Sequence, residues 1–352
     1  MKPELKNLKA YQASVPNCRI RLDANESPFP VPSKIRKLVI KEASFLSFNR
    51  YPDPSAAELK KAISKKLNTP VNSILLGNGS DEIISYIISA FGNSGGKVLF
   101  PVPTFAMYKI ISISHGQKPV EIPLTKEFDI DIRAFKKKLS AKGTKIIFLS
   151  YPNNPTGKCF SGKAIFEILK DSSSIVVIDE AYSDFSDRSF LSHIKKYKNL
   201  IILKTLSKIG MSSLRIGMAL ANRDVIETLE KVRLPYNLNS FTQAAAKIFL
   251  DNFSLLNKQI RTTIAERDFL FMEMKKNNGI LPYPSDANFI LFKTKNDNST
   301  VYNKLIKEDI AVRCFTGNQS LNNCLRVTVG TPEENRKFLT ALKKVINKKS
   351  GE

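Results

Sequence analysis

Four short segments bring together residues that could bind an anion and present a reactive amine. The first is Gly77-Asn78-Gly79-Ser80-Asp81-Glu82. Its glycines permit close backbone approach, and a helix opening at Ser80 would leave N–H groups free to cradle a phosphate. A plain capping turn accounts for the same residues equally well. The second, Ser150-Tyr151-Pro152-Asn153-Asn154-Pro155-Thr156-Gly157, sets two prolines and two asparagines in a rigid turn that can aim an amide side chain. In the third, Asp179-Glu180-Ala181-Tyr182, an acid directly follows an apolar run. A buried carboxylate without a partner is costly, so something cationic should meet Asp179. The fourth, Lys204-Thr205-Leu206-Ser207-Lys208, offers two hydroxyls and a lysine, with Arg215 seven positions further on. Lysine can serve as a nucleophilic amine and as a proton carrier. A lone lysine is nearly always a surface residue, so Lys208 gains meaning only from the order of all four segments.

These segments need a scaffold that delivers them to one place. Apolar runs alternate with helical patterns between residues 74 and 220: 74–76 precedes 82–91, and 97–100 precedes 104–113. Such alternation predicts an α/β domain with a parallel sheet covered by helices. The runs 145–149, 175–178 and 200–203 are rich in β-branched residues and leucine, as expected of strands buried on both faces. In an open α/β sheet, ligands collect at the loops beyond the strands' carboxyl ends, where these segments fall. After residue 220 the pattern predicts helices at 224–233 and 242–275. Beyond a break at Pro282 and Pro284 it predicts strands at 287–292, 310–313 and 324–329, with helices at 300–307 and 332–346. The expected organisation is an N-terminal segment, 1–40, joining a small α+β domain at 251–352, with a large domain at 41–250 between them.

Composition narrows the function classes. With 352 residues and 42% hydrophobic content the chain can bury two real cores. No run approaches the roughly 18 apolar residues of a membrane span, and a cytoplasmic protein is expected. Cys18, Cys159, Cys314 and Cys324 form no CxxC pair and cluster with neither His115 nor His193, which argues against a zinc site or a disulfide framework. Two histidines also leave little room for a Ser-His-Asp or Cys-His hydrolase. The net charge of +23 favours anionic partners, nucleic acid among them. The lysines are dispersed and no nucleic-acid motif stands out, so a solvated surface explains most of them. A nicotinamide-dependent enzyme would show G-x-G-x-x-G, which is missing.

Phosphate loop, aimed asparagine, strand-end aspartate with a nearby tyrosine, then lysine and arginine together match the needs of pyridoxal 5'-phosphate: an anchored phosphate, a partner for its ring nitrogen, and an amine. The sequence resembles the aspartate-aminotransferase-like, fold type I enzymes, and among them the histidinol-phosphate aminotransferase family. Further motifs carrying the resemblance are Leu22-Asp23-Ala24-Asn25-Glu26-Ser27-Pro28, Arg50-Tyr51-Pro52-Asp53, Pro103-Thr104-Phe105-Ala106-Met107-Tyr108 and Leu325-Arg326-Val327-Thr328-Val329-Gly330-Thr331. The resemblance covers nearly the whole chain and implies a large domain with a mostly parallel sheet plus a smaller α+β domain.

It further implies that Lys208 joins the cofactor as a Schiff base and shuttles protons, that Asp179 keeps the ring nitrogen protonated, and that Asn154 and Tyr182 bond the ring's phenolic oxygen. Phe105 would stack on the ring. Backbone around Gly79, Ser80 and Asp81, with Thr205, Ser207 and Arg215, would hold the phosphate. Tyr51 would reach it from the partner subunit of a homodimer, or else packs in the core. Arg326 would pair with the glutamate carboxylate, while Arg313 and Tyr11 would approach the substrate phosphate; either arginine could instead sit in a surface ion pair. The implied reaction is transamination between histidinol phosphate and 2-oxoglutarate. Aromatic aminotransferases and phosphothreonine-type decarboxylases share similar motifs. The spacing from Lys208 to Arg215 is one residue shorter than in many relatives, which leaves the shape of that loop open.

Overall fold

The computed structural model describes residues 5, 6, 8, 16–139, 143–317 and 319–347. In chain order its strands are β1 (Ile20–Leu22), β2 (Ile74–Asn78), β3 (Lys97–Val102), β4 (Lys118–Pro123), β5 (Thr144–Ser150) and β6 (Ile175–Asp179). They continue with β7 (Leu200–Thr205), β8 (Ile216–Ala221), β9 (Ile280–Pro282), β10 (Phe289–Thr294), β11 (Ile310–Cys314) and β12 (Cys324–Thr328). Among the described residues these build two sheets, of order β2-β8-β7-β6-β5-β3-β4 and β1-β11-β12-β10-β9.

The apolar runs read as doubly buried strands behave as such. Along β5, Ile147 and Leu149 enter one core, while Ile146 and Phe148 enter the other on the opposite face. The same alternation governs β7, with Leu200 and Ile202 on one side and Ile201 and Leu203 on the other. Side chains alternate across a strand, so only an unbroken apolar run can feed two covered faces.

In the larger sheet β3, β4, β5, β6 and β7 run parallel, while β8 is antiparallel to both β2 and β7. The reversal of β8 brings its first residues to the edge where β2, β6 and β7 end. In the smaller sheet β1 lies parallel to β11, so an N-terminal strand is built into a sheet otherwise made from residues 280 to 328.

Two local expectations need correction. The helix expected at 242–275 is broken: one helix spans Ser240–Asp251, a short 3-10 turn Phe253–Leu256, and a second helix Asn257–Lys275. The side chain of Asn252 donates to the carbonyl of Ile248 at 2.8 Å, and its own N–H reaches back to Ile248 and Phe249, closing the first helix. The helix expected from residue 104 begins at Met107 instead, because Pro103 to Ala106 are used as a loop over the sheet edge.

Candidate active site

The ends of β2, β5, β6 and β7 and the entry to β8 meet around two adjoining cavities that share Phe105, Asn154, Tyr182 and Lys208. The inner one is floored by Asp179 and flanked by Ser80, Ser207 and Arg215. The outer one opens toward Asp23, Asn25, Arg313 and Arg326, which the second sheet and the loop after β1 supply.

At one end of the inner cavity the helix Ser80–Phe91 begins. Gly79 stands at its N-terminus with φ of 85°, and no side-chain hydrogen bond caps that end. With no N-cap side chain to accept them, the first helical N–H groups are available to an anion, an arrangement reinforced by the helix dipole. The positive φ favours glycine here, and a Cβ at this position would fall 2.4 Å from the Arg215 guanidinium and displace it. Arg215 itself adopts a left-handed conformation, φ 51°, and donates to Asp81 Oδ2 at 3.3 Å. Thr205 Oγ1 donates to the Ile216 carbonyl at 2.8 Å and accepts the Ser207 N–H at 3.1 Å. Its proton is thus committed to the backbone, so the Ser207 hydroxyl donates in the 2.9 Å contact between the two, and both residues line the cavity.

At the other end sits Asp179, only 4% exposed. Burial pushes its carboxyl up to about 6, although a hydrogen bond from Tyr108 pulls in the opposite direction. That bond runs from the Tyr108 hydroxyl to Asp179 Oδ2 at 2.7 Å, and the Ala181 N–H donates to Oδ1 at 3.1 Å. The cation expected beside Asp179 is therefore not a neighbouring side chain in contact. Its known partners are a phenol and an amide, while Lys208 acts on it only at longer range. A buried carboxylate so placed fits a protonated ring nitrogen, which would relieve the burial penalty.

The Lys208 ammonium lies 5.6 Å from the centre of the Tyr182 ring. Asn154 Oδ1 accepts from an Arg326 N–H at 2.5 Å, and a second Arg326 nitrogen donates to the Asp23 carbonyl at 2.7 Å. Arg326 is 7% exposed and packs 5.2 Å from the Phe289 ring, which removes the surface-pair reading. Arg313 is its cross-strand partner between β11 and β12, so both arginines face the outer cavity. Phe105 meets Tyr108 edge-on at 5.6 Å. Tyr51 is 81% exposed, away from any core, and stacks on Tyr236 at 4.6 Å. Tyr11 lies outside the described residues.

The model for "Aminotransferase class I and II" matches residues 19–342. This chain belongs to the class I and II aminotransferases. A histidinol-phosphate aminotransferase of Aquifex aeolicus (strain VF5) is 39% identical over 343 residues, 97% of each chain. The crystal structure of the histidinol-phosphate aminotransferase from Clostridium acetobutylicum superposes with a TM-score of 0.85 at 28% identity, covering 93% of this chain and 99% of that one. That of Sinorhizobium meliloti, in complex with pyridoxal-5'-phosphate, gives a TM-score of 0.89 at 22% identity over 98% and 97% of the two chains, a likeness of fold. The aminotransferase fold thus accounts for the mostly parallel sheet and for the placing of the four loops at one edge.

Sequence reasoning named no role for several buried residues that brace the cavity and its loops. Tyr108 is fully buried, stacks on Phe148 at 4.8 Å and holds Asp179. Burial, and then the Asp179 charge, lift its phenol well above the ordinary tyrosine range, so it stays a donor. Asn153 fixes the rigid turn from inside, donating to the Pro103 carbonyl at 3.0 Å and to Thr156 Oγ1 at 2.9 Å. Glu180, fully buried, pairs with Lys204 at 3.1 Å and accepts the Phe190 N–H at 2.6 Å. Only position within motifs hinted at these residues. No local pattern distinguishes an asparagine that aims outward from one that braces the turn. Among the described residues no helix is long and apolar enough to cross a membrane, and no group of His, Cys, Asp and Glu could hold a metal ion.

Proposed function

We propose that this chain transfers the amino group between L-histidinol phosphate and 2-oxoglutarate, giving imidazole acetol phosphate and L-glutamate, with pyridoxal 5'-phosphate held in the inner cavity. The observation that carries this reading is one cavity holding a lysine amine, a buried carboxylate and an uncapped helix N-terminus, with two arginines at its mouth. When bound, the cofactor supplies an electron-withdrawing ring that stabilises negative charge developing at the substrate carbon.

The residues divide that work. The N–H groups at Ser80 and Asp81, with Ser207 and Arg215, hold the phosphate; Thr205 braces Ser207. Asp179 keeps the ring nitrogen protonated, and Tyr108 keeps Asp179 in place. Asn154 and Tyr182 meet the ring's phenolic oxygen, and Phe105 covers one ring face. Lys208 takes the proton from the substrate's amine-bearing carbon. Arg326 receives the α-carboxylate of glutamate, and Arg313 with Tyr11 receives the substrate phosphate; a planar guanidinium can bind either group bidentately. The apolar surface around Phe45, Phe48 and Tyr51 supports a homodimer in which Tyr51 serves the partner's site.

Steady-state kinetics of the loaded protein with histidinol phosphate, phenylalanine and phosphothreonine test the substrate. The expected result is a kcat/KM for histidinol phosphate at least about a hundredfold above that for phenylalanine, whose missing phosphate leaves the phosphate-binding groups unpaired, and no release of carbon dioxide from phosphothreonine. Equal or better use of phenylalanine, or release of carbon dioxide from phosphothreonine, would replace this assignment.

A further inference from the structure

Asn25 follows β1, is 1% exposed, and has φ of 55°, a left-handed conformation that asparagine tolerates better than most residues. Its backbone N–H donates to Thr328 Oγ1 at 3.0 Å, and that hydroxyl donates back to Asn25 Oδ1 at 3.2 Å. With the threonine proton used in this way, the amide is turned so that Nδ2 donates to Tyr182 Oη at 3.0 Å. Asn288 fastens the same loop from another side, donating to the Asn25 carbonyl at 3.1 Å.

We propose that Asn25 is a positioning residue for Tyr182, fixing the direction in which the phenol donates. An N–H donor cannot accept, so the single Tyr182 proton must be directed elsewhere. The ring packs on Ala181, Ala287 and Phe289, which offer its hydroxyl no side-chain acceptor. The open side is the cavity shared with Lys208. Asn25 thereby presents the Tyr182 hydroxyl as a donor to the ring oxygen of the cofactor, and Thr328 on β12 ties that orientation to the strand that carries Arg326. The inference rests on the function proposed above for this cavity.

Two variants test it. Asn25→Asp keeps the backbone and the Thr328 bond but replaces the amide donor with an acceptor. Asn25→Gly keeps the left-handed backbone and removes the side chain altogether, which covers the case in which a buried aspartate prevents folding. In the loaded protein each is expected to move the pH of the visible-absorbance change by about one unit and to lower turnover about tenfold, the scale of one buried hydrogen bond. In the Tyr182→Phe background neither is expected to add a further shift. An unchanged transition in the single variants, or an equal shift without the phenol, would overturn the proposal. The near-ultraviolet circular dichroism of the cofactor-free protein gives a second readout: Asn25→Gly should alter the tyrosine band, and should not do so in the Tyr182→Phe background. If no variant and no wild-type sample takes up pyridoxal phosphate, the proposed function fails, while the dichroism still decides whether Asn25 orients Tyr182.

Discussion

Asp179 is ionised at a cost, and that cost can be measured. Burial raises its pKa to about 6, above the roughly 3.9 of an exposed aspartate. The folded state therefore binds this proton more tightly than the unfolded chain, and stability falls as pH rises between roughly 4 and 6. Replacing the carboxylate by an amide removes that dependence. The cofactor-free Asp179→Asn variant is expected to be more stable than the wild type at pH 8 by about 3 kcal/mol, with the gap closing toward pH 4. Denaturant titrations at both pH values check it, and a gap that widens toward acid would refute the burial argument. The loaded variant should still hold the cofactor but turn over about a hundredfold more slowly, as expected when a charge opposite the reacting centre is lost. Lys208→Ala separates chemistry from folding. Its amine lines the cavity rather than a core, so melting should be unchanged while transamination is abolished. Borohydride reduction and peptide mapping should find a pyridoxyl label on the peptide containing residue 208 in the wild type, and none in the variant.

At the scale of elements, the site depends on how closely two strands and a helix start can approach. Gly217 on β8 pairs with Gly77 on β2, and a Cβ there would lie 2.4 Å from the Gly79 carbonyl carbon and 2.5 Å from the Ser80 nitrogen. Those atoms are backbone, so they cannot swing aside. Gly217→Ala should push the helix N-terminus off its position and weaken pyridoxal phosphate binding about tenfold or more, an amount set by overpacking of one methyl. Equilibrium dialysis measures this, and unchanged affinity would show that the loop adapts. The same elements show what could be read in advance. Strands β5, β6 and β7 were legible because burial on both faces demands an unbroken apolar run, and the loops after them followed. The strand β8 was not, since its IGMALA sequence carries glycine and two alanines, which favour strands weakly, and nothing local says that it runs antiparallel. That reversal is what carries Arg215 to the same edge as Lys208. Asn25 and Tyr108 were visible within motifs, yet their partners lie 157 and 71 residues away, beyond the reach of any local pattern.

Among the described residues several large apolar side chains stand exposed, and the three most exposed fall in one short stretch of sequence. Phe45 is 72% exposed, Phe48 82% and Tyr51 81%, and the exposed Tyr236 stacks on Tyr51. Large aromatic side chains gathered on a surface mark an interaction site. Pairing of two copies through this region predicts that Phe48→Asp yields monomers by sedimentation, because a charge would be buried against the partner. A sharper test asks whose site Tyr51 serves. Lys208→Ala and Tyr51→Ala subunits are each expected to be inactive or nearly so as homodimers. In a mixed dimer one site combines the intact lysine of one subunit with the intact tyrosine of the other. Random reassociation of equal amounts should then restore about a quarter of wild-type activity, since half of the dimers are mixed and each has one working site of two. If Tyr51 acted within its own chain, every mixed site would lack either the lysine or the tyrosine, and mixing would restore nothing. The +23 charge on each copy opposes such pairing, so the apolar contacts must outweigh a like-charge repulsion spread over both chains. Raising ionic strength should therefore strengthen the dimer by screening like charges, whereas an interface held by ion pairs would weaken.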